Sequence, residues 1–380
     1  MNQRSYLDYN ATAPLRDEVR EALIAALSVH GNPSSVHAEG RAARHAVEAA
    51  RMKVAALVGA DPEQVTFTSG GTEANALALA PRSGEAWHCF VSAVEHPSVL
   101  RGGRFGREAI ATFPVTADGV ADLEILAEQL AKHHLDGWKP FVSVMAANNE
   151  TGALQPVAEA SLIVHGAGGV LHTDAIQAAG RIKLDMEALG ADLLSLSAHK
   201  IGGPKGVGAL VLGKNASVEP LITGGSQERR RRAGTENVAG IVGFGVAAEL
   251  ALADLAKAGA TARLRDELEH GAIALAPDAV VLSARVERLP NTICLAVPGV
   301  KAETLVIGLD LAGVAVSAGS ACSSGKVEAS HVLSAMGVSD ELARGAIRVS
   351  LGFATRRADI DNFLKAFGEL VQRLRPKVAA

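Results

Sequence analysis

Cysteine, net charge and long apolar runs are all scarce in this sequence, and each shortage excludes a class of protein. Only 3 of the 380 residues are cysteines, namely Cys89, Cys294 and Cys322. An odd number at such wide spacing excludes a disulfide framework and a zinc knuckle, and we expect no intrinsic metal site. The net charge of −4 gives no electrostatic reason to expect a nucleic acid or an acidic membrane as a partner.

Segments that could enter or cross a membrane are also missing. The longest nearly uncharged stretch, residues 238–248, is much shorter than the roughly 20 apolar residues of a membrane span. The segment from Met1 to Asn10 is polar and acidic and has no apolar core, so it predicts no secretory signal. We therefore expect a cytoplasmic protein in a reducing compartment.

Apolar residues make up 48% of the chain, and they form short runs that alternate with longer helix-like segments. This alternation predicts an α/β fold, with parallel strands covered by helices on both faces. Strands are predicted at residues 64–69, 89–94, 141–146, 170–172, 193–197 and 207–212, and helices at 72–80, 121–133, 157–166 and 235–255. The rest of the chain mixes strands and helices, which is typical of a smaller α+β domain, and 380 residues suit two domains.

Lys200 is the first candidate for chemistry. It follows an apolar strand and precedes the glycine-rich loop of residues 201–206. α/β sheets bind ligands at the carboxyl ends of their strands, and a partly desolvated lysine amine there can bond covalently to an aldehyde cofactor. Taken alone, a surface lysine in a glycine-rich turn is the commoner explanation. The spacing of a phosphate-binding P-loop is absent.

Groups that suit the same kind of cofactor follow two other predicted strands. Asp174 ends one of them, with Gln177 three positions later, and its carboxylate could pair with a protonated pyridine nitrogen. Residues 69–73, Ser-Gly-Gly-Thr-Glu, lie between a strand and a helix, where free backbone N–H groups form a phosphate cup. The ordinary alternatives are a strand-end aspartate and a helix-capping turn.

Two further strand ends carry polar side chains. His96 could stack on a flat cofactor or move a proton, and an amide of Asn148 or Asn149 could reach a phenolic oxygen or a substrate carboxylate. A structural histidine and a polar turn are the alternatives. Together, the five strand ends indicate a pyridoxal-binding site at one edge of a sheet.

The motifs resemble those of the cysteine desulfurases of the NifS/IscS type, within the class V aminotransferase family. They run in the family's order through nearly the whole chain. They are YLDYNAT from residue 6, GNPSS from 31, TSGGTE from 68, EHP from 95, NNETG from 148, TDAIQ from 173, SAHK from 197, RAGTEN from 232, SAGSACSS from 317 and IRVSLG from 347.

This resemblance implies an aspartate aminotransferase-like fold. The family has a large domain that binds pyridoxal 5′-phosphate, built on a mostly parallel seven-stranded sheet flanked by helices, and a smaller α+β domain. We expect the large domain at residues 15–256. The small domain is expected to combine residues 1–14 with residues 257–380 and to carry Cys322.

The resemblance also implies a role for each motif residue. Lys200 would hold the cofactor covalently, Asp174 would face the ring nitrogen, Gln177 and Asn149 the ring hydroxyl, and His96 the ring face. The phosphate would be bound by Gly71, Thr72, Ser197 and His199, and by Thr235 of the neighbouring subunit in a homodimer. Arg348 and Asn149 would bind the substrate, and the catalytic residues would be Lys200, Cys322 and His96.

Cys322 decides which reaction is expected. It lies in a run of small residues that includes two glycines, and a thiol on such a loop can become a thiolate and attack sulfur. Cys89 and Cys294 lie in apolar strands and fit buried, inert thiols. We expect weak order after Cys322, and a resting position of Cys322 away from Lys200.

The implied reaction converts L-cysteine to L-alanine and leaves a persulfide on Cys322. The sulfur would pass to an acceptor such as an iron–sulfur scaffold protein, whose cluster Cys322 could transiently ligate. A selenocysteine lyase or another class V enzyme is the alternative, and a non-catalytic pyridoxal-fold protein is a second.

The chain also contains a run of four arginines, Arg229 to Arg232, which taken alone suggests a nucleic-acid patch. The family places a basic loop near the phosphate at this point.

Overall fold

A seven-stranded sheet forms the centre of the larger part of the molecule. The computed structural model describes residues 4–81, 86–134, 137–319 and 330–374. The described residues form thirteen strands: β1 Ser5–Tyr6, β2 Val65–Thr68, β3 Trp87–Ser92, β4 Ile110–Phe113, β5 Lys139–Ser143, β6 Val170–Asp174, β7 Leu193–Ser197, β8 Gly208–Leu212, β9 Val280–Leu282, β10 Thr292–Ala296, β11 Val314–Ala315, β12 Ser317–Ala318 and β13 Ala346–Ser350.

The strand order of the large sheet is β2-β8-β7-β6-β5-β3-β4, and only β8 runs opposite to the others. Phe90 of β3 packs into one apolar cluster, whereas its neighbours Cys89 and Val91 pack into another. Because side chains alternate across a strand, these clusters lie on opposite faces of the sheet. Burial on both faces explains why the strands are continuous apolar runs in the sequence.

Helices cover the sheet and build the rest of the molecule. The described residues form thirteen of them: α1 Asp17–Ala26, α2 Ala38–Leu57, α3 Gly71–Ala78, α4 Pro97–Leu100, α5 Leu123–His134, α6 Val157–Gly166, α7 Met186–Leu189, α8 Val238–Asp254, α9 Ala258–Leu275, α10 Ala302–Leu311, α11 His331–Ala335, α12 Asp340–Ala343 and α13 Arg357–Leu374. Side-chain caps start several of them. The Ser330 hydroxyl accepts from the Leu333 amide of α11, which satisfies one N–H of the first turn.

α8 is apolar all round. Together with α9 it forms a helical stretch, Val238–Leu275, that is long and apolar enough by length and composition to cross a membrane. α8 packs against α1 and α2, however, and buries Ile241, Phe244 and Ala247 in the main core. A helix that is apolar on every side is typical of such a buried position.

The smaller part of the molecule has its own sheet and core. β12, β13, β10 and β9 form an antiparallel sheet in that order. Its strands pack on an apolar cluster that includes Leu295, Ile347, Phe363 and Phe367. β1 joins this part because it pairs in parallel with β11. The predicted boundaries at residues 15 and 256 stay a prediction.

The predicted fold class is confirmed, including the mostly parallel seven-stranded sheet and the smaller α+β part. The predicted strands and helices agree with the structure to within a few residues. Five elements of the larger part lie outside the sequence-based predictions, namely α1, α2, α4, α7 and β4. Of these, α2 carries an apolar stripe at Ala43, Val47, Ala50 and Val54, the spacing of one helix face.

Candidate active site

A cavity of about 880 Å³ lies at the carboxyl edge of the large sheet. The parallel strands β2, β3, β5, β6 and β7 all end at this edge, so their following loops meet there. The smaller part closes the cavity through residues of α10 and of the segment 316–319. Ten residues predicted for the site line the cavity: Gly71, Thr72, His96, Asn149, Asp174, Gln177, Ser197, His199, Lys200 and Arg348.

Lys200 ends the single 3-10 turn, Ala198–Lys200, that follows β7. Its Nζ donates to the backbone carbonyls of Asn10, at 2.6 Å, and Ala11, at 2.9 Å. Burial lowers the pKa of Lys200 to about 7, and the positive charges of Arg348 and Arg181 act in the same direction. Near neutral pH, a large fraction of this amine is therefore uncharged and able to act as a nucleophile or a base.

Asp174 is the last residue of β6 and is buried. Its Oδ2 accepts from Nδ2 of Asn75 at 2.8 Å, and its Oδ1 accepts from the amide of Ile176 at 3.0 Å. Both donors are neutral. The carboxylate therefore keeps its charge available for a cationic group in the cavity, such as a protonated ring nitrogen.

The first turn of α3 lies where the phosphate cup is predicted. The first amides of a helix have no acceptor within the helix, so those of Gly71 and Thr72 can bind an anion at the cavity wall. A Cβ on Gly71 would lie 2.3 Å from Cδ1 of Ile176, so the Ile176 side chain would have to shift to accommodate any other residue. Ser197 and His199 line the same wall. Burial lowers the pKa of His199 to about 4, with Lys200 and Lys205 adding to the effect, so His199 is neutral.

Arg348 in β13 offers a fork for a carboxylate. One Nη donates to Oδ1 of Asp8 at 3.0 Å, and the other donates to the carbonyl of Asn149 at 3.1 Å. The Oδ2 of Asp8 accepts from the Ser317 hydroxyl at 2.9 Å, which fixes the aspartate in turn. The Nε of Arg348 is buried and has no hydrogen-bond partner in the described part of the chain. An unsatisfied donor on a guanidinium that lines a cavity suits a carboxylate ligand.

His96 starts α4 and faces the cavity. Its Nδ1 accepts from the Ser98 amide at 3.1 Å, so in the neutral ring the proton is on Nε2. Burial lowers the pKa of His96; Asp174 raises it, while Lys200 and His331 lower it. A neutral imidazole is thus available to exchange a proton near neutral pH.

The two described cysteines are inert. Cys89 and Cys294 are fully buried, and burial raises the pKa of both thiols, that of Cys294 to about 12. A thiol with so high a pKa provides almost no thiolate at neutral pH. Cys322, and with it the prediction of weak order in its loop, lies outside the described residues.

Thr235 is the one described site residue that the structure does not bring to the cavity. It is exposed on the loop that precedes α8. Arg232 ties this loop to the start of α3, because it pairs with Glu73 at 3.0 Å and donates to the Ser69 hydroxyl. Arg231 likewise donates to the Glu63 carbonyl, so these two arginines of the basic run are engaged within the chain.

Three further residues contact the site, although the sequence predicted no role for them. Asp8 and Asn10 lie in the first motif, and Asn10 donates to the carbonyl of Asn149 while its own carbonyl accepts from Lys200. Asn75 lies one turn after Thr72, a spacing that could have indicated it. Its Oδ1 is buried without a partner in the described part of the chain.

The chain matches the Aminotransferase class-V family over residues 5–363. It is 43% identical to the cysteine desulfurase IscS of Dictyoglomus turgidum, over 99% of this chain and 96% of that relative. The fold is similar to the X-ray structure of a NifS-like protein from Rickettsia africae, with a TM-score of 0.89 and 36% identity, over 97% of this chain and 100% of the other. It is also similar to SspA in complex with cysteine, with a TM-score of 0.76 and 29% identity, over 91% and 98% of the two chains.

Proposed function

The chain belongs to the class V aminotransferase family and, within it, to the cysteine desulfurases; from this premise, we propose that Lys200 holds pyridoxal 5′-phosphate and that Cys322 receives the substrate sulfur. The observation that carries the proposal is the meeting of Lys200, Asp174, the α3 amides and Arg348 around one cavity. The selenocysteine lyase alternative is not favoured, because the relatives are cysteine desulfurases.

The donor set of the cavity fits the cofactor. A carboxylate held by neutral donors, Asp174, suits the ring nitrogen, and the glycine-built start of α3 suits the phosphate. The side chains of Gln177 and Asn149 would lie on the hydroxyl side of the ring and His96 on its face. When bound, pyridoxal 5′-phosphate supplies the electron sink that makes the substrate α-carbon acidic and weakens the carbon–sulfur bond.

Arg348 would bind and orient the substrate, which we propose is L-cysteine. Its unpaired Nε and the adjoining Nη form one edge of the guanidinium, and the Asp8 and Asn149 contacts keep the group in place. A carboxylate bound there can form the two parallel hydrogen bonds that this fork favours. SspA, a structural neighbour, was solved in complex with cysteine, which supports the choice of ligand.

Proton movements fall to Lys200 and His96. About half of the Lys200 amines are uncharged at neutral pH, so Nζ can accept the proton of the substrate α-carbon and return it later. The neutral imidazole of His96 can take the proton of the substrate thiol. The Cys322 thiolate then attacks the substrate sulfur. The net reaction converts L-cysteine and the Cys322 thiol to L-alanine and the Cys322 persulfide, and it needs no external oxidant or reductant.

We also propose that the protein works in the cytoplasm as a homodimer and passes its sulfur to an acceptor such as an iron–sulfur scaffold. Thr235 is exposed and does not line its own cavity, which suits a residue that completes the phosphate cup of the partner. The apolar side chains of Ile24, Leu27 and Val36 are 59%, 68% and 83% exposed, respectively. Large apolar side chains with such exposure are candidates for burial in a subunit interface.

Borohydride reduction tests the cofactor proposal. The purified protein should be yellow, and reduction should fix the cofactor onto the peptide that contains Lys200. The Lys200→Ala variant serves as the control and should bind the cofactor only non-covalently, without turnover. A reduced adduct on any other lysine would overturn the assignment.

Hybrid dimers test the shared site. Lys200→Ala and Thr235→Ala chains should each be impaired alone. In a hybrid dimer both defects fall in the same site, so the other site is intact and activity should return to about half that of the unsubstituted dimer. Verified hybrids without activity would contradict a contribution of Thr235 across the interface.

A further inference from the structure

Arg181 lies directly behind the active-site cavity, and no role has been assigned to it. It does not line the 880 Å³ cavity but a smaller one of about 220 Å³ on the other side of Lys200. Among the described residues no carboxylate pairs with Arg181. It donates to the side-chain and backbone oxygens of Gln177 and, at 3.5 Å, to the carbonyl of Tyr9.

The contact between Arg181 and Gln177 fixes which way the Gln177 amide faces. A guanidinium has only donors, so the group that it contacts must be the oxygen, Oε1. The amide nitrogen, Nε2, is therefore directed to the opposite side, where it donates to the Asn10 carbonyl at 3.0 Å. The same carbonyl accepts from Nζ of Lys200. Arg181 is thus linked to Lys200 through two intervening groups.

The local sequence explains how Arg181 reaches this position. After β6 the chain makes a helical turn, in which the Ala179 amide donates to the Ala175 carbonyl, and Arg181 just beyond this turn donates back to the Gln177 carbonyl within it. Gly180 then takes a left-handed conformation, with φ +71°, and a Cβ there would lie 2.7 Å from that of Ala251. Only glycine combines this turn with the close packing against α8.

We propose that Arg181 is a positioning residue of the active site, which holds the Gln177 amide with its N–H groups toward the cofactor and places a positive charge without a paired carboxylate, among the described residues, behind Lys200. This inference rests on the proposed function and goes beyond it, because Arg181 contacts neither the cofactor position nor the substrate position.

The electrostatic part of the proposal follows from the charges around Lys200. After burial, Arg348 and Arg181 are the groups that lower the pKa of Lys200, and Asp174 and Asp8 raise it. Arg348 is paired with Asp8, whereas Arg181 is balanced by no carboxylate of the described chain. Burial and the neighbouring Arg348 lower the pKa of Arg181 itself to about 9, so it remains charged at neutral pH.

A double-mutant cycle in the Lys200→Ala apoprotein, where the charge of Lys200 cannot contribute to binding, tests the positioning role. The variants are Arg181→Met, Gln177→Leu and the double substitution, and the readout is the Kd for pyridoxal 5′-phosphate measured by fluorescence. Arg181→Met should weaken binding by about tenfold, the loss of one hydrogen bond to a charged group. The double variant should bind no more weakly than Gln177→Leu, because Arg181 acts through Gln177. Additive losses would overturn the inference.

The charge of Arg181 is tested separately by competitive acetylation of Lys200 in the apoprotein as a function of pH, followed by mass spectrometry. In Arg181→Met and Arg181→Gln, the midpoint of the pH profile of Lys200 acetylation should shift upward from about 7, toward the ordinary lysine pKa of 10.5. In Arg181→Lys, the midpoint should stay near the midpoint of the unsubstituted protein. Arg181→Gln retains a polar side chain, so it provides the comparison if the methionine variant does not fold.

Arg265→Met is the matched control. Arg265 lies in α9, away from the cavity. Like Arg181, it is partly buried and donates to a backbone carbonyl, here that of Leu289. If Arg181→Met matches this control in both Kd and midpoint, the role of Arg181 is structural and the inference fails. If the unsubstituted protein takes up no cofactor on Lys200, the proposed function fails instead, so the two failures are distinguishable.

Discussion

The low pKa of Lys200 predicts how fast the apoprotein captures its cofactor at different pH values. Only the uncharged amine can attack an aldehyde, so the capture rate should follow the uncharged fraction of Lys200. The pKa of Lys200 is lowered from 10.5 to about 7 because Nζ is buried and lies near the positive charges of Arg348 and Arg181. The rate should therefore rise with pH up to about pH 7 and level off above it.

The size of the effect follows from the same two values. At pH 7 about half of the Lys200 amines are uncharged, whereas a lysine with the ordinary pKa of 10.5 would be uncharged in about one molecule in three thousand. The buried position thus increases the reactive fraction by about three orders of magnitude. Below the midpoint the rate should fall about tenfold for each pH unit.

Stopped-flow absorbance of apoprotein mixed with pyridoxal 5′-phosphate, from about pH 5.5 to pH 9.5, measures this profile. The second ionisation of the cofactor phosphate, with a pKa near 6, is controlled by repeating the series with pyridoxal, which has no phosphate. A midpoint near 10 with both aldehydes would refute the reasoning, because Lys200 would then have the pKa of an exposed lysine.

Two further predictions concern the substrate and the core. Arg348→Lys should raise the KM for L-cysteine by about tenfold or more while Lys200 still binds the cofactor, because an ammonium cannot form the bidentate contact; an unchanged KM would exclude Arg348 from carboxylate binding. His172 is fully buried between the Ser143 and Ser195 hydroxyls, and burial lowers its pKa to about 3, below the value of about 6.5 in the unfolded chain. The unfolded chain therefore binds the His172 proton at a higher pH than the folded chain does. The free energy of unfolding should fall by about 1.4 kcal/mol per pH unit as the pH drops from about 6.5 toward 3, and this contribution is fully present above about pH 6.5. Urea unfolding of the protein and of His172→Asn should show a shallower loss in the variant; equal slopes would contradict the prediction.

Much of the site could be predicted from the sequence because its residues follow strands. Lys200, Asp174 and His96 each lie within a few residues of a strand end, and parallel strands end at one edge of a sheet. The period-two and period-3.6 patterns that predict the strands therefore also gather these residues. The same logic predicts a phosphate cup at the start of α3.

The remaining site residues depend on contacts between distant segments, which no local pattern encodes. Asp8 reaches Arg348 because β1 and its following segment pack beside β13, 340 positions later in the chain. Arg181 pairs with no carboxylate among the described residues, and its hydrogen-bonded link to Lys200 runs through Gln177 and Asn10, which are distant from each other in the sequence. β4 is short and only partly buried, so its hydrophobic pattern is weak.

The central claim is that sulfur moves from L-cysteine to Cys322, and one measurement tests it most directly. The purified protein is incubated with L-cysteine without a reductant; the alanine formed is measured, and the protein is analysed by intact mass and peptide mapping. We expect alanine and an adduct of one sulfur atom on Cys322 in equal amounts, the same result in Cys89→Ala and Cys294→Ala, and neither product in Cys322→Ala. Alanine formation at an undiminished rate in Cys322→Ala, or a sulfur adduct on Cys89 or Cys294, would contradict the claim.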